Sequence, residues 1–468
     1  MPFIGCRYKK MSRFTAPILL VIFALSVGCS GALTPESPLR VQTGTPSAVS
    51  LSPTTIAVPT MTVPRPVTPT RVPPTPTPTL TSTPTIPPEA RLKIHCLDVL
   101  QTFPPQANSQ GIVILNSHTS PDIFLLNMAT GAKTQLAKQN ENLKHFAVSP
   151  GKERMAYERG LLNQPGGGGK QLVIAAADGQ PQKAIPWEKG WVGIPGWLND
   201  EQLIINMAGN DPDEDTAKKP ATLLMVNPFT GERRVLPPDF PEISYEYPVL
   251  YWEGWSETIY DPTLTRVVYP GPGYVLWDLE SNRALATLRS RFLHPPRWSP
   301  DGAQFVVAAD PDFGEYRFGY ELFSVSRDGE LITPLTNLKA YYPASDMWGY
   351  SWSPQGNRIA FWLSTDPDAV DSNDHAAQRL GVLDLATQEV TDYCIPLDAY
   401  RGDPFLGTIP FFASGVTSPI WSPNGQQLIV ESRYAQDASR VILVDVVQDF
   451  AVQIADTMLP AGWMKSGP

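Results

Sequence analysis

The sequence predicts an all-β fold, and two observations predict it. Proline is heavily used, at 50 of 468 residues, while charged residues make up only 18%. That balance favours strands, turns and linkers over helices. The second observation is an internal repeat. An aromatic residue, then Ser-Pro-x-Gly or a variant, then a short β-rich run recurs from about residue 148 to residue 430. Copies include Trp298-Ser299-Pro300-Asp301-Gly302, Trp352-Ser353-Pro354-Gln355-Gly356 and Trp421-Ser422-Pro423-Asn424-Gly425. Looser copies are Val148-Ser149-Pro150-Gly151, Trp197-Leu198-Asn199-Asp200 and Tyr260-Asp261-Pro262.

The N-terminus reads as an export signal. Arg7, Lys9, Lys10 and Arg13 precede an apolar run from Phe14 to Val27. That run has the length of a signal core and is too short to span a bilayer comfortably. It closes in Leu25-Ser26-Val27-Gly28-Cys29, which resembles the lipobox of bacterial lipoproteins. The resemblance implies cleavage after residue 28, lipidation of Cys29 and an extracytoplasmic protein anchored to the cell membrane. Ser26 stands where that motif usually has an aliphatic residue, so an ordinary secretory signal is the alternative.

Residues 29–90 are dominated by Pro and Thr, as in Val72-Pro73-Pro74-Thr75-Pro76-Thr77. Proline removes backbone donors and fixes φ, so this stretch is expected to be a disordered stalk rich in polyproline II. At about 3.1 Å per extended residue it would reach on the order of 100 Å.

Residues 91–468 carry the repeat, whose turn chemistry is explicit. Proline pre-sets φ at the second position of a turn, Asp or Asn accepts local backbone bonds, and glycine takes positive φ. Each copy leads into a strand, such as Phe305-Val306-Val307 or Arg358-Ile359-Ala360-Phe361. A second hairpin follows, as at Val382-Leu383-Asp384 or Ile442-Leu443-Val444-Asp445. Four strands per repeat is the signature of propeller blades. Trp-Ser-Pro-Asp-Gly followed by a strand ending in Asp resembles the TolB-like, WD-related propeller repeats. The resemblance covers roughly residues 110–464 and implies a β-propeller without implying an activity.

Blade count follows from the two ends. Residues 111–137 offer three strands without a preceding aromatic-Ser-Pro element, and Ala461-Gly462-Trp463-Met464 looks like the missing first strand. A shared first blade plus six complete repeats gives seven blades. Six or eight stay open, because Arg91 to Val99 could supply the missing strand instead. The repeat tryptophans Trp197, Trp298, Trp352, Trp421 and Trp463 are expected to wedge between blades rather than bind a ligand.

Cys96 and Cys394 are left over once the leader and Cys29 are set aside. In an oxidising compartment such a pair is expected to bridge; two buried free thiols are the alternative. Asp-Pro-Asp occurs three times, at Asp211 and Asp213, Asp310 and Asp312, and Asp366 and Asp368. The strand reading puts all three between second and third strands, hence on one face. That face could serve solubility alone, bind a basic protein or peptide, or hold calcium; no other cofactor is implied.

No Gly-x-Ser-x-Gly elbow, P-loop, zinc spacing or histidine cluster is present, so no residue is expected to be catalytic. A net charge of −10 argues against nucleic acid as partner. The expected function is a non-catalytic envelope lipoprotein whose propeller binds protein, peptide or glycan. A propeller enzyme acting on extracellular glycans or peptides is the alternative, and a purely structural envelope component a third.

Overall fold

The computed structural model describes residues 91–466, apart from 106, 118–121, 137–140, 162–168, 208–221, 237–259, 271–273, 289–295, 310–320, 343–345, 365–377, 398–417 and 436–437. The chain divides into units 1–72 and 73–468, and every described residue belongs to the second. Cys29 and the expected leader and stalk lie outside the described residues.

The described chain forms seven antiparallel blades. Blade 1 takes its first strand, Met458–Met464, from the C-terminus and its other three from Ile112–Ser117, Ile123–Asn127 and Lys133–Gln135. Blade 2 is Glu141–Val148, Arg154–Leu161, Gln171–Ala176 and Pro181–Pro186. Blade 3 is Trp191–Trp197, Leu203–Met207, Thr222–Val226 and Arg233–Val235. Among the described residues blade 4 has three strands, Arg266–Pro270, Tyr274–Asp278 and Arg283–Leu288, with Tyr260 bridging Val267 at the place where the first strands of other blades end. Blade 5 is Arg297–Trp298, Gln304–Ala309, Glu321–Ser326 and Ile332–Pro334. Blade 6 is Asp346–Trp352, Arg358–Ser364, Gln378–Asp384 and Glu389–Leu397, and blade 7 is Ile420–Trp421, Gln427–Ala435, Ala438–Asp445 and Phe450–Asp456.

Packing closes these sheets into a ring. Each pair of neighbouring blades shares one hydrophobic cluster, including the pair formed by blades 7 and 1. The pleat explains how one strand serves two clusters. In blade 5, Phe305, Val307 and Ala309 pack toward blade 4, while Val306 and Ala308 pack toward blade 6. Both faces of a middle strand are therefore apolar, which is why these segments read as unbroken hydrophobic runs. A one-residue slip would exchange the two sets, so the register is tightly specified.

The repeat motif builds the turn from first to second strand. Ser299, Ser353 and Ser422 are buried, and each hydroxyl accepts the amide five residues on, from Gln304, Arg358 and Gln427. The glycines three residues after each serine bond back to its carbonyl at φ of 67°, 70° and 65°. Blade 4 performs the same turn with Asp261 in place of serine, and its carboxylate accepts the amides of Thr265 and Arg266. The indoles then lock blade to blade. Nε1 of Trp197, Trp352 and Trp421 donates to the carbonyl of Ala147, Arg297 and Ser351, each on the first strand of the preceding blade. Trp463 is fully buried against blade 7.

The ring closes through the C-terminal strand. Residues 92–100 do not supply the missing strand, because their extended pieces run along the outside of two other blades. Leu92–Ile94 pairs in parallel with the fourth strand of blade 6, and Val99–Leu100 with that of blade 7. Between them a disulfide joins Cys96 to Cys394, with Cα atoms 4.5 Å apart. Leu97 beside it is buried in the cluster between blades 6 and 7. This entry strap therefore clasps the two blades that precede the closure.

Candidate functional site

Strands alternate in direction, so the two kinds of connection leave opposite faces. First-to-second and third-to-fourth turns share one face, called here the turn face. Second-to-third loops and the links between blades share the other, the connection face. All three Asp-Pro-Asp segments fall between second and third strands, in blades 3, 5 and 6. Asp211, Asp213, Asp310, Asp312, Asp366 and Asp368 themselves lie outside the described residues. Among the described residues no group of three or more His, Cys, Asp or Glu side chains is placed to hold a metal ion.

Three buried acids sit toward the connection face, and their partners separate two roles. Glu321 opens the third strand of blade 5. It accepts the Thr336 hydroxyl at 2.6 Å and the amides of Leu338 and Lys339. Burial raises its pKa against those bonds, which lower it. This carboxylate staples the link between blades 5 and 6. Asp392, in the fourth strand of blade 6, accepts Arg379 Nη1 at 2.8 Å and the Tyr342 hydroxyl at 2.7 Å. Burial, together with the bond to Asp392, pushes Tyr342 up to about 12. That pair also staples an inter-blade link, since Tyr342 precedes blade 6.

Glu158 differs. Only 6% of its side chain is exposed, yet its partners face solvent. Lys170 Nζ lies 2.6 Å from Oε1, with 43% of that lysine exposed, and His145 Nε2 lies 3.4 Å from Oε2, with 34% exposed. Lys144 is opposite Glu158 in the strand register and is exposed. The imidazole stacks on Trp187, with ring centroids 6.4 Å apart and planes 18° apart. Trp187 is fixed by its Nε1 bond to the Trp191 carbonyl and by edge contact with the Trp191 ring. Glu188 in the same link is paired with Arg233 at 2.6 Å.

His145 also occupies an unusual backbone. It sits in a bulge of the first strand of blade 2, at φ 55°. Blade 6 has the corresponding bulge, counted back from the Ser-Pro turn, and Gly349 fills it at φ 59°. The fold thus asks for a left-handed residue here, and glycine supplies it without a Cβ clash. A side chain in that region costs about 1 kcal/mol or more. First strands are innermost, where the blades contact one another around the axis. A positioned imidazole over a buried carboxylate therefore stands at the channel wall, between blades 2 and 3.

Sequence reasoning missed this cluster. His145, Glu158 and Lys170 belong to no spacing motif, and a strand register is needed to bring them together. Trp187 lies outside the Trp-Ser-Pro frame, but so do Trp191, Trp277, Trp348 and Trp362, so it gave no separate signal.

No protein-family profile matches the chain, and no curated protein sequence does either. Solved structures are similar to it. TolB from Acinetobacter baumannii is 13% identical over 76% of this chain and 64% of that one, with a TM-score of 0.37. The chain thus spans just under two thirds of that protein. A putative TolB from Agrobacterium tumefaciens is 17% identical over 68% of this chain and 96% of that one, TM-score 0.38. Oligogalacturonate lyase from Vibrio parahaemolyticus is 10% identical over 74% of this chain and 86% of that one, TM-score 0.42. Such likenesses concern the fold and carry no function. By its own strand topology and its seven blade interfaces, the chain is a seven-bladed β-propeller.

Proposed function

We propose that this chain is a non-catalytic lipoprotein of the bacterial cell envelope, anchored outside the cytoplasm through lipid on Cys29. Its propeller binds a protein, peptide or glycan at the connection face. The observation that carries this reading is the asymmetry of the two faces. The turn face repeats one short solution, from Ser149 through Ser422, and its hydrogen bonds are spent on structure. The connection face carries long, unrelated segments, the three Asp-Pro-Asp sequences and the Glu158 cluster. Acidic loops would favour a partner that is basic or brings a cation, and its association would weaken with salt.

Two experiments test it. Cys29→Ser should release the protein from the membrane fraction; retention there, with no acyl mass on the N-terminus, would refute the anchor. A pull-down from envelope extract should recover a specific partner that competes with antibodies to the connection face. Recovery of nothing, together with turnover of an extracellular glycan or peptide, would favour the enzyme reading. That reading has one supporting observation, the His145–Glu158 pair at the channel wall.

A further inference from the structure

We propose that the Cys96–Cys394 bridge is a redox clasp. A dithiol opens it in the folded protein, and the entry strap then leaves the outer edges of blades 6 and 7 while the ring stays closed. The chemistry is thiol–disulfide exchange. A thiolate of the dithiol attacks Sγ of Cys96. The sulfur–sulfur bond breaks, and its electron pair leaves on Sγ of Cys394, which takes a proton from solvent. The second thiol of the reagent then attacks the mixed disulfide. Cys96 departs as a thiol and the reagent closes its own disulfide, so two electrons and two protons pass to the bridge. Exchange with a disulfide reagent re-forms it.

Three observations converge. The first is access. Cys96 is exposed and Cys394 half-buried, so the bridge lies at the surface and not in a blade core. Exposed bridges exchange more readily than buried ones. The second is how little else holds the strap. Leu92–Ile94 and Val99–Leu100 pair over three and two residues. Among residues 91–100 only Leu97 is buried, while Leu92 and Val99 are partly buried and Ile94 and Leu100 are exposed. Arg91 Nη1 donates to the Thr387 carbonyl, and the His95 imidazole stands 3.8 Å from Asp449, both open to solvent. Fixing the backbone of that stretch costs more than one buried leucine and five paired residues return, so the strap stays docked because the bridge holds it. The third is the independence of the ring. No inter-blade cluster contains a cysteine, and the strap lends them only Leu97, with Leu92 and Val99 at the margin. Blade 1 is closed by Met458–Met464, far from the bridge in the fold's connectivity. The strands that the strap covers, Glu389–Leu397 and Phe450–Asp456, have nine and seven residues. The outer strands of blades 1 to 5 have three to six. The closed clasp thus caps the two longest outer edges among the described residues. Opening it unpairs Val390, Thr391 and Asp392, and Ala451 and Val452, on edges that are templates for strand addition.

The test uses the full chain purified without reductant, with dithiothreitol as the dithiol. Free thiols are trapped by alkylation and mapped by mass spectrometry, and hydrogen exchange is followed in parallel. Cys96 and Cys394 should be reduced under native conditions, faster than the ring unfolds. Exchange at Leu92–Ile94 and Val99–Leu100 should then rise roughly tenfold or more, while blades 2 to 5 stay unchanged. Replacing dithiothreitol with oxidised glutathione should restore both the bridge and the protection. With reduced glutathione as a monothiol probe, the trapped adduct should sit on Cys96 and the alkyl label on Cys394. Cys96→Ser with Cys394→Ser should exchange like the reduced protein and keep a cooperative thermal transition. Reduction no faster than global unfolding would overturn the proposal, because the bridge would then be closed to exchange. So would a reduced strap as protected as the oxidised one. Loss of the cooperative transition, in the reduced protein or in the double variant, would overturn it too, since the bridge would then hold the ring. An adduct on Cys394 instead of Cys96 would overturn the order of attack.

Discussion

The two faces of this propeller are built from the same strands and obey different rules. On the turn face, five blades solve one problem in one way: a buried Ser or Asp accepts the amide five residues on, and a left-handed residue closes the turn. The exceptions are instructive, because Lys152 and Leu264 stand where three blades have glycine, at φ 63° and 55°. Geometry is kept even where the residue is not. On the connection face the described residues share no common turn, and the sequence that recurs there, Asp-Pro-Asp, lies outside them. Glu158, Glu321 and Asp392 are all buried acids, yet each has a different set of partners. Repetition marks what the ring needs, and the proposed ligand surface is the face that lacks the shared turn.

The comparison can be broken in four ways. Deleting residues 460–468 should have the largest effect. It removes most of the first strand of blade 1 and takes Trp463, the largest side chain, out of the core shared by blades 7 and 1. Losing the burial of Trp463 and Met464 at about 1.5–3 kcal/mol each, together with the strand pairing to Ile112–Ser117, is comparable with the margin of an ordinary domain, about 5–15 kcal/mol. The truncated chain should fail to give a cooperative thermal transition; a parent-like melting curve would refute closure by this strand.

Asp261→Ala should be next. Its carboxylate is fully buried, accepts three backbone amides and pairs with Arg327 at 2.6 Å. Breaking a buried pair by removing one partner costs about 3–5 kcal/mol, here lowered because Arg327 is partly exposed. A loss of about 2–3 kcal/mol in chemical denaturation is expected. A change below ~0.5 kcal/mol would mean that the turn face does not carry stability.

The disulfide gives a comparable but more local effect. Cys96→Ala with Cys394→Ala should cost about 2–4 kcal/mol, the usual range for a bridge and below the ~5–6 kcal/mol that chain entropy alone gives for so long a loop. Hydrogen exchange should rise at Leu92–Ile94 and Val99–Leu100 and stay unchanged in blades 2 to 5. Uniformly faster exchange would show that the bridge holds the ring rather than the strap. Smallest of all, joint substitution of Asp213, Asp312 and Asp368 by Asn should change stability by less than about 1 kcal/mol. It should nevertheless weaken binding of a basic partner at low salt. Binding that ignores both salt and the substitution would move the functional surface elsewhere.

The sequence made the turn face and the ring legible because their signals are local. Ser-Pro-x-Gly lies within five residues, and Trp463 with no strand after it pointed to a shared blade. The entry strap was not legible. Leu92–Ile94 and Val99–Leu100 are short, and nothing local distinguishes an outer edge pairing from a missing inner strand. The candidate site was less legible still. His145, Glu158 and Lys170 come from three strands, and the decisive feature is a backbone angle that only comparison with Gly349 interprets. The six acidic residues of the Asp-Pro-Asp segments lie outside the described residues, and both their shared face and their chemistry stay a proposal.

Stability thus resides in the repeated turns, and binding is proposed for the opposite face. Lysine footprinting of the full chain, alone and with the partner recovered from envelope extract, tests it most directly. Lys144, Lys170 and Lys189 lie at the connection face of blades 2 and 3, and Lys133 and Lys465 at the turn face of blade 1. The account predicts that bound partner slows acylation of the first three and leaves the last two unchanged. Protection of Lys133 and Lys465 with free labelling of Lys144, Lys170 and Lys189 would contradict it.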